Sequence, residues 1–163
     1  MEMAGIKSDE PVEFVGHSQG GIIAAQLAAD PQVRSHYRVA SVLTAGSPVA
    51  GFHPDSSVPM LNMENTRDIV PALDGAANMN RGNALTLHFD SEHLDVKQGS
   101  DNPIAAHDIE TYTQAIRECE QVNPQQNPNI GEVIRWEEQR RTRLGITDRT
   151  QTRSYIFDTR RVT

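Results

Sequence analysis

The feature that most constrains this chain is a glycine-framed serine, Gly16-His17-Ser18-Gln19-Gly20, set between two segments of opposite habit. Before it runs Val12-Glu13-Phe14-Val15, short, apolar and β-leaning. After it runs Ile22-Ile23-Ala24-Ala25-Gln26-Leu27-Ala28-Ala29, apolar and alanine-rich. A Gly-x-Ser-x-Gly turn between a strand and a helix is the setting of a nucleophile elbow, in which the serine stands on a sharp, strained reversal of the backbone. Such a turn needs small residues two positions either side, where the backbone crosses itself, and Gly16 and Gly20 stand there. The helix start also aims free N–H groups and its positive dipole end at the serine, so the Gln19 N–H would face a developing oxyanion. Ser18 is the candidate nucleophile. A phosphate-binding loop is excluded, because the Gly-x-x-x-x-Gly-Lys-Ser/Thr pattern is absent and no lysine lies near the turn.

The length of 163 residues suits one domain with a moderate core, and 37% hydrophobic with 23% charged residues is polar but globular. A formal net charge of -7 argues against nucleic acid as a partner. No apolar run approaches the ~20 residues that span a bilayer, so no membrane anchor is expected. Cys119 is the single cysteine, which leaves no disulfide framework and no cysteine-based zinc site. The first ten residues have neither the basic start nor the apolar centre of a signal peptide, and the chain as written reads as cytoplasmic.

Charge divides the chain unevenly. Residues 1–130 carry 7 basic against 17 acidic residues, whereas residues 131–163 carry 8 arginines against 5 acids. Three segments follow: a body over 1–122, a linker over 123–130 built around Asn123-Pro124-Gln125-Gln126-Asn127-Pro128-Asn129, and an arginine-rich extension over 131–163. The extension is expected to dock on the acidic body, or on a missing N-terminal half, through Trp136, Tyr155 and Phe157.

Further along, Val39–Ala45 reads as a strand buried on both faces, and Val58–Glu64 as a strand whose first residues are unpaired because of Pro59. Ala84–Phe89 alternates, with Leu85, Leu87 and Phe89 on one side. A helix is expected from His107, with Ile109, Tyr112, Ile116 and Cys119 on one face, and a weaker one over about Glu132 to Arg143, before a strand at Arg153–Phe157. Strands alternating with helices or long crossovers give an α/β fold with a mainly parallel sheet flanked by helices.

A serine hydroxyl needs a base, and the base an orienting carboxylate. Of the six histidines, His107 alone follows the last core strand on a loop entering a helix, whereas His17 reads as structural, pointing away from its neighbour's position. Asp68 follows the third strand and would be carried to the same sheet edge as Ser18. Asp74 and Asp90 compete for that role. His88, Asp90, His93 and Asp95 bring imidazole and carboxylate groups together in sequence, but a strand face and a solvated loop account for them. The order Ser18, Asp68, His107 is that of α/β-hydrolases.

These motifs together resemble the α/β-hydrolase superfamily, and most closely its class 3, fungal-type lipases. The resemblance rests on Gly16–Gly21, Thr44-Ala45-Gly46-Ser47-Pro48-Val49-Ala50-Gly51, Asn65-Thr66-Arg67-Asp68-Ile69-Val70-Pro71, and His107 ahead of Tyr112, and it covers residues 12 to about 116. It implies a serine esterase acting on a small-molecule or lipid ester, with Ser18, Asp68 and His107 as triad, the Gln19 N–H as an oxyanion donor, and neither metal nor organic cofactor. In that family several strands precede the elbow, and a loop among them gives the second oxyanion donor. Only about eleven residues precede Val12 here. The chain thus resembles the C-terminal half of such a hydrolase, a partial fold expected to associate with a missing N-terminal half or with itself, and to be a slow catalyst alone. The competing expectation is a truncated, non-catalytic remnant serving as a binding module.

Overall fold

The computed structural model describes residues 5–78, 80–94, 103–119 and 128–147. Strand β1 (Pro11–His17) leads into helix α1 (Gln19–Ala29), followed by a short helix α2 (Pro31–His36). Strands β2 (Arg38–Ala45), β3 (Met60–Asn65) and β4 (Ala84–Phe89) come next, then helices α3 (Pro103–Ala106), α4 (Ile109–Cys119) and α5 (Pro128–Leu144). The four strands form one sheet in the order β1-β2-β3-β4, every neighbouring pair parallel, so the protein has an α/β fold with a parallel sheet flanked by helices.

Because successive strand residues face opposite sides, the sheet builds two cores. On one side Phe14, Val42 and Met60 meet Ala24, Ala25 and Ala28 of α1. These alanines let the helix lie close against the strands, while Ile23 on its outer face is exposed. On the other side Leu61, Met63 and Leu87 meet Tyr112 and Ala115 of α4 and Trp136 of α5. With both faces covered, the centre of β2 and all of β3 are buried.

Several boundaries differ from the sequence reading. Asp30 does end α1, but its carboxylate then accepts from the Gln32 N–H at 2.7 Å and starts α2, with Pro31 at the first position. β3 begins at Met60, after Pro59, which has no N–H to give yet accepts through its carbonyl from the Val42 N–H at 2.9 Å. α4 starts at Ile109 rather than His107, with Asp108 accepting from the Glu110 N–H. Of the expected face, Tyr112 is buried and Ile116 and Cys119 pack against the second core, whereas Ile109 is 53% exposed, and Thr111 and Ala115 are buried beside Tyr112. Pro128–Ile130 belong to the first turn of α5 rather than to a linker. Residues 123–127 and the expected strand Arg153–Phe157, including Tyr155 and Phe157, lie outside the described residues, as does Asp95.

The described part of the arginine-rich segment is joined to the sheet by packing and charge. Trp136 is 7% exposed within the second core. Arg140 clasps Glu13 of β1 with both branches, Nε to Oε1 at 2.6 Å and Nη2 to Oε2 at 2.5 Å, and the Ser41 hydroxyl donates to the same carboxylate at 2.7 Å. A two-pronged guanidinium–carboxylate pair fixes orientation as well as distance, which sets α5 across β1 and β2. Between the sheet, α4 and α5 lies a cavity of about 560 Å³, lined by Leu43, Leu61, Ile116, Val133 and Trp136 among others, and none of its lining residues is a candidate site residue. Among the described residues no helix is long and apolar enough to cross a membrane.

Candidate active site

Ser18 is the last residue before α1 and the one described non-glycine residue with positive φ, at φ 57° and ψ -128°. An L-residue held there is strained, and the surrounding bonds hold it: the Ser18 N–H donates to Ala45 O at 2.9 Å, and Ser18 O accepts from the Gly21 N–H at 3.0 Å. The reversal brings Gly16 so close to the start of α1 that a Cβ on it would lie 2.2 Å from Gly20 O. Gly20, expected from the motif to be the second constrained position, has open space around its Cβ position. The constrained neighbour is Gly21, whose Cβ would lie 2.1 Å from Ser47 Oγ, because this face of α1 crosses the loop after β2. The Gln19 N–H, at the first position of α1, has no acceptor within the helix, and no acidic side chain occupies the first turn.

His107 stands between α3 and α4, with its Nε2 2.8 Å from Ser18 Oγ and its Nδ1 2.7 Å from Asp68 Oδ2. The Asp68 carboxylate can only accept, so Nδ1 carries a hydrogen, and in the uncharged form of the ring Nε2 is the nitrogen left to accept the serine hydrogen. The Asp68 side chain is fully buried and that of His107 is 23% exposed. Residues separated by 50 and 39 positions in sequence thus form one continuous hydrogen-bonded line at the carboxyl ends of β1 and β3.

Three donors serve the Asp68 carboxylate. Besides His107, the Tyr112 hydroxyl donates to Oδ2 at 2.7 Å and the Val70 N–H to Oδ1 at 2.9 Å. Burial pushes the Tyr112 phenol far above its ordinary value, with Asp68 adding to the shift, so the hydroxyl keeps its proton. The same hydroxyl accepts from the Asn65 N–H at 3.2 Å. Gly46, at φ 57°, leaves room for the pair: a Cβ there would come within 2.9 Å of Asp68 Oδ2 and 3.0 Å of the Tyr112 ring. The competing carboxylates are engaged elsewhere. Asp90 pairs with Arg67 at 2.7 Å, and Asp74 accepts from the Ala50 and Ala76 N–H groups. His88 faces Glu64, at 3.1 Å from Oε2.

Asn65 joins the loops that carry acid and base. Its Nδ2 donates to Ser91 Oγ and Ala106 O, both at 2.9 Å, and its Oδ1 accepts from the Arg67 and Ser91 N–H groups. Sequence reasoning missed this role, although a polar residue closing a buried strand three positions before a candidate acid is a usable signal. It also missed the Tyr112 hydroxyl, because helical spacing marks Tyr112 only as core, and it read His17 as structural without assigning it a partner. The His17 ring in fact lies 4.7 Å from the His107 ring.

Removing the Tyr112 hydroxyl should be costly. Tyr112→Phe leaves the buried Asn65 N–H without its acceptor and Asp68 with one donor fewer, a loss of about 1–3 kcal/mol for an unpaired buried polar group. Urea denaturation measures it, and an unchanged midpoint would show that these bonds contribute nothing net.

The sequence matches no protein-family model and no curated protein.

Proposed function

We propose that this protein is a serine hydrolase of the α/β-hydrolase type, similar to class 3 lipases, that cleaves a carboxylic ester of lipid or acyl type through an acyl-enzyme. The observation that carries this reading is the unbroken line Ser18–His107–Asp68, with the serine in left-handed backbone at a helix N-terminus. In this reading Ser18 Oγ attacks the ester carbonyl while its proton passes to His107 Nε2, and Asp68 holds the resulting imidazolium. The tetrahedral oxyanion faces the Gln19 N–H. Collapse breaks the bond to the alcohol, which leaves with the proton from His107. Water then enters by the same route, freeing the acid and restoring the serine.

Support for an apolar acyl group comes from the residues flanking the triad. Ile69 and Leu73 follow the acid, Ile109 follows the base, and all three are more than half exposed. Large apolar side chains left in water on the segments that follow the acid and the base favour a substrate that covers them. The outer edge of β1 has no partner strand among the described residues, and it is where an N-terminal half or a second copy would pair, bringing a second oxyanion donor.

A fluorophosphonate probe tests the reading, because it phosphonylates only an activated serine. Peptide mass spectrometry of the treated protein should find the adduct on Ser18. An adduct on Ser41 or Ser47 would refute the assignment, and a chain left unmodified would favour the non-catalytic binding module.

A further inference from the structure

We propose that His17 is a positioning residue that ties the loop bearing the base to the turn bearing the nucleophile, an inference that rests on the hydrolytic reading of Ser18, His107 and Asp68. His17 Nε2 lies 2.8 Å from the backbone oxygen of His107. A carbonyl can only accept, so Nε2 carries the hydrogen and donates it. The two imidazole rings are 4.7 Å apart and tilted by 32°, and the Tyr112 ring lies 5.6 Å away on a steeper tilt. The side chain next to the nucleophile thus holds the backbone of the base.

The surrounding bonds show what this link adds. Three successive carbonyls, from the end of α3 into His107, are each held by the side chain of a different element. Ala105 O accepts from Thr111 Oγ1 of α4 at 2.8 Å, Ala106 O from Asn65 Nδ2 of β3 at 2.9 Å, and His107 O from His17 of β1. The first two fix the loop to its own helix and to the strand before the acid. Only the third refers it to the strand that leads into Ser18. His17 itself is anchored in the sheet, in register with Ala45, so the distance from Ser18 Oγ to His107 Nε2 is closed through a short path of one side chain and one peptide. The ring is also kept neutral. Burial lowers His17 below its ordinary value, the bond to the His107 carbonyl opposes this, the nearby His107 ring adds to the lowering, and Asp68 and Asp108 oppose it weakly. A neutral ring donates without placing a second cation beside the imidazolium that forms on His107 during the reaction.

Two substitutions separate the hydrogen bond from the bulk of the ring. His17→Phe keeps a flat ring and removes the donor. His17→Gln keeps an N–H donor at comparable reach. In the full chain, the second-order rate of fluorophosphonate labelling at Ser18 should fall about tenfold in His17→Phe, the rate equivalent of one neutral hydrogen bond, and return to within about threefold of the parent in His17→Gln. Phe at the parent rate, or Gln as slow as Phe, overturns the proposal. Histidine ring ¹⁵N shifts of the unsubstituted chain give a readout that needs neither folding of a variant nor catalysis: the proton should sit on Nε2 of His17 and on Nδ1 of His107. A proton on His17 Nδ1 removes the tether whatever the labelling shows. A parent chain unlabelled at Ser18 but with the expected tautomers sinks the hydrolytic reading, and the positioning role with it.

Discussion

Replacing His107 by alanine is expected to slow fluorophosphonate labelling of Ser18 by about 10⁴-fold, and Ser18→Ala to abolish it. The size follows from the chemistry of the hydroxyl, which at neutral pH attacks only if its proton leaves as the new bond forms. His107 Nε2, 2.8 Å from Oγ, is the group placed to take it. Asp68→Asn should cost nearly as much for a different reason. An amide in place of the carboxylate can present N–H to His107 Nδ1, which favours the tautomer with its proton on Nε2, and a protonated Nε2 cannot accept from Ser18. The Asp68 side chain is fully buried, so its environment does not dilute the effect. Full-rate labelling in His107→Ala would remove His107 as the base and with it the reading of the site.

The second large effect lies in two glycines of one motif, for which the structure assigns opposite outcomes. Gly16→Ala should destabilise the protein by about 3 kcal/mol or more and abolish labelling, because the new methyl group would stand 2.2 Å from a backbone oxygen that no rotamer change can move. The elbow would have to unwind, taking the left-handed backbone of Ser18 with it. Gly20→Ala should be neutral or stabilising by about 0.5–1 kcal/mol, since the position is helical, at negative φ and open. Urea midpoints of the two variants decide the matter. Equal losses in both would mean that the start of α1 against the end of β1 is not as described.

The sheet was largely legible in the residues. Alternation in Ala84–Phe89 and the apolar run before Gly46 each marked a strand, because strands buried on one or both faces write that burial into their period. Ser18, Asp68 and His107, which the structure brings together, are chosen from the sequence by position: Ser18 and Asp68 follow strands, and His107 lies beyond the last core strand on a loop entering a helix. What the residues did not disclose depends on contacts between distant segments. The need for glycine at 21 rather than 20 exists only once Ser47 is placed against α1. The turn of α4 that leaves Ile109 in solvent is set by the Asp108 carboxylate at its start. The Asn65 junction and the His17 bond each engage a backbone oxygen at least 41 positions away, and no local pattern reports such a partner.

The sheet carries its one non-glycine residue of positive φ, among the described residues, at the end of an edge strand. β2 and β3 are each hydrogen-bonded on both sides, whereas among the described residues β1 is bonded to β2 alone and β4 to β3 alone. Thermal opening follows that hierarchy, since a strand held on one side frays at a lower free energy than the cooperative unit beneath it. Amide protons of β1 should therefore exchange with solvent deuterium sooner than those of β2 and β3, and the strain at Ser18 would be released in the same excursion. On gentle warming, the competence of Ser18 toward a phosphonylating probe should decay at temperatures where the far-ultraviolet circular dichroism of the sheet and helices is still intact. The chemistry of this protein would then have a lower ceiling than its fold.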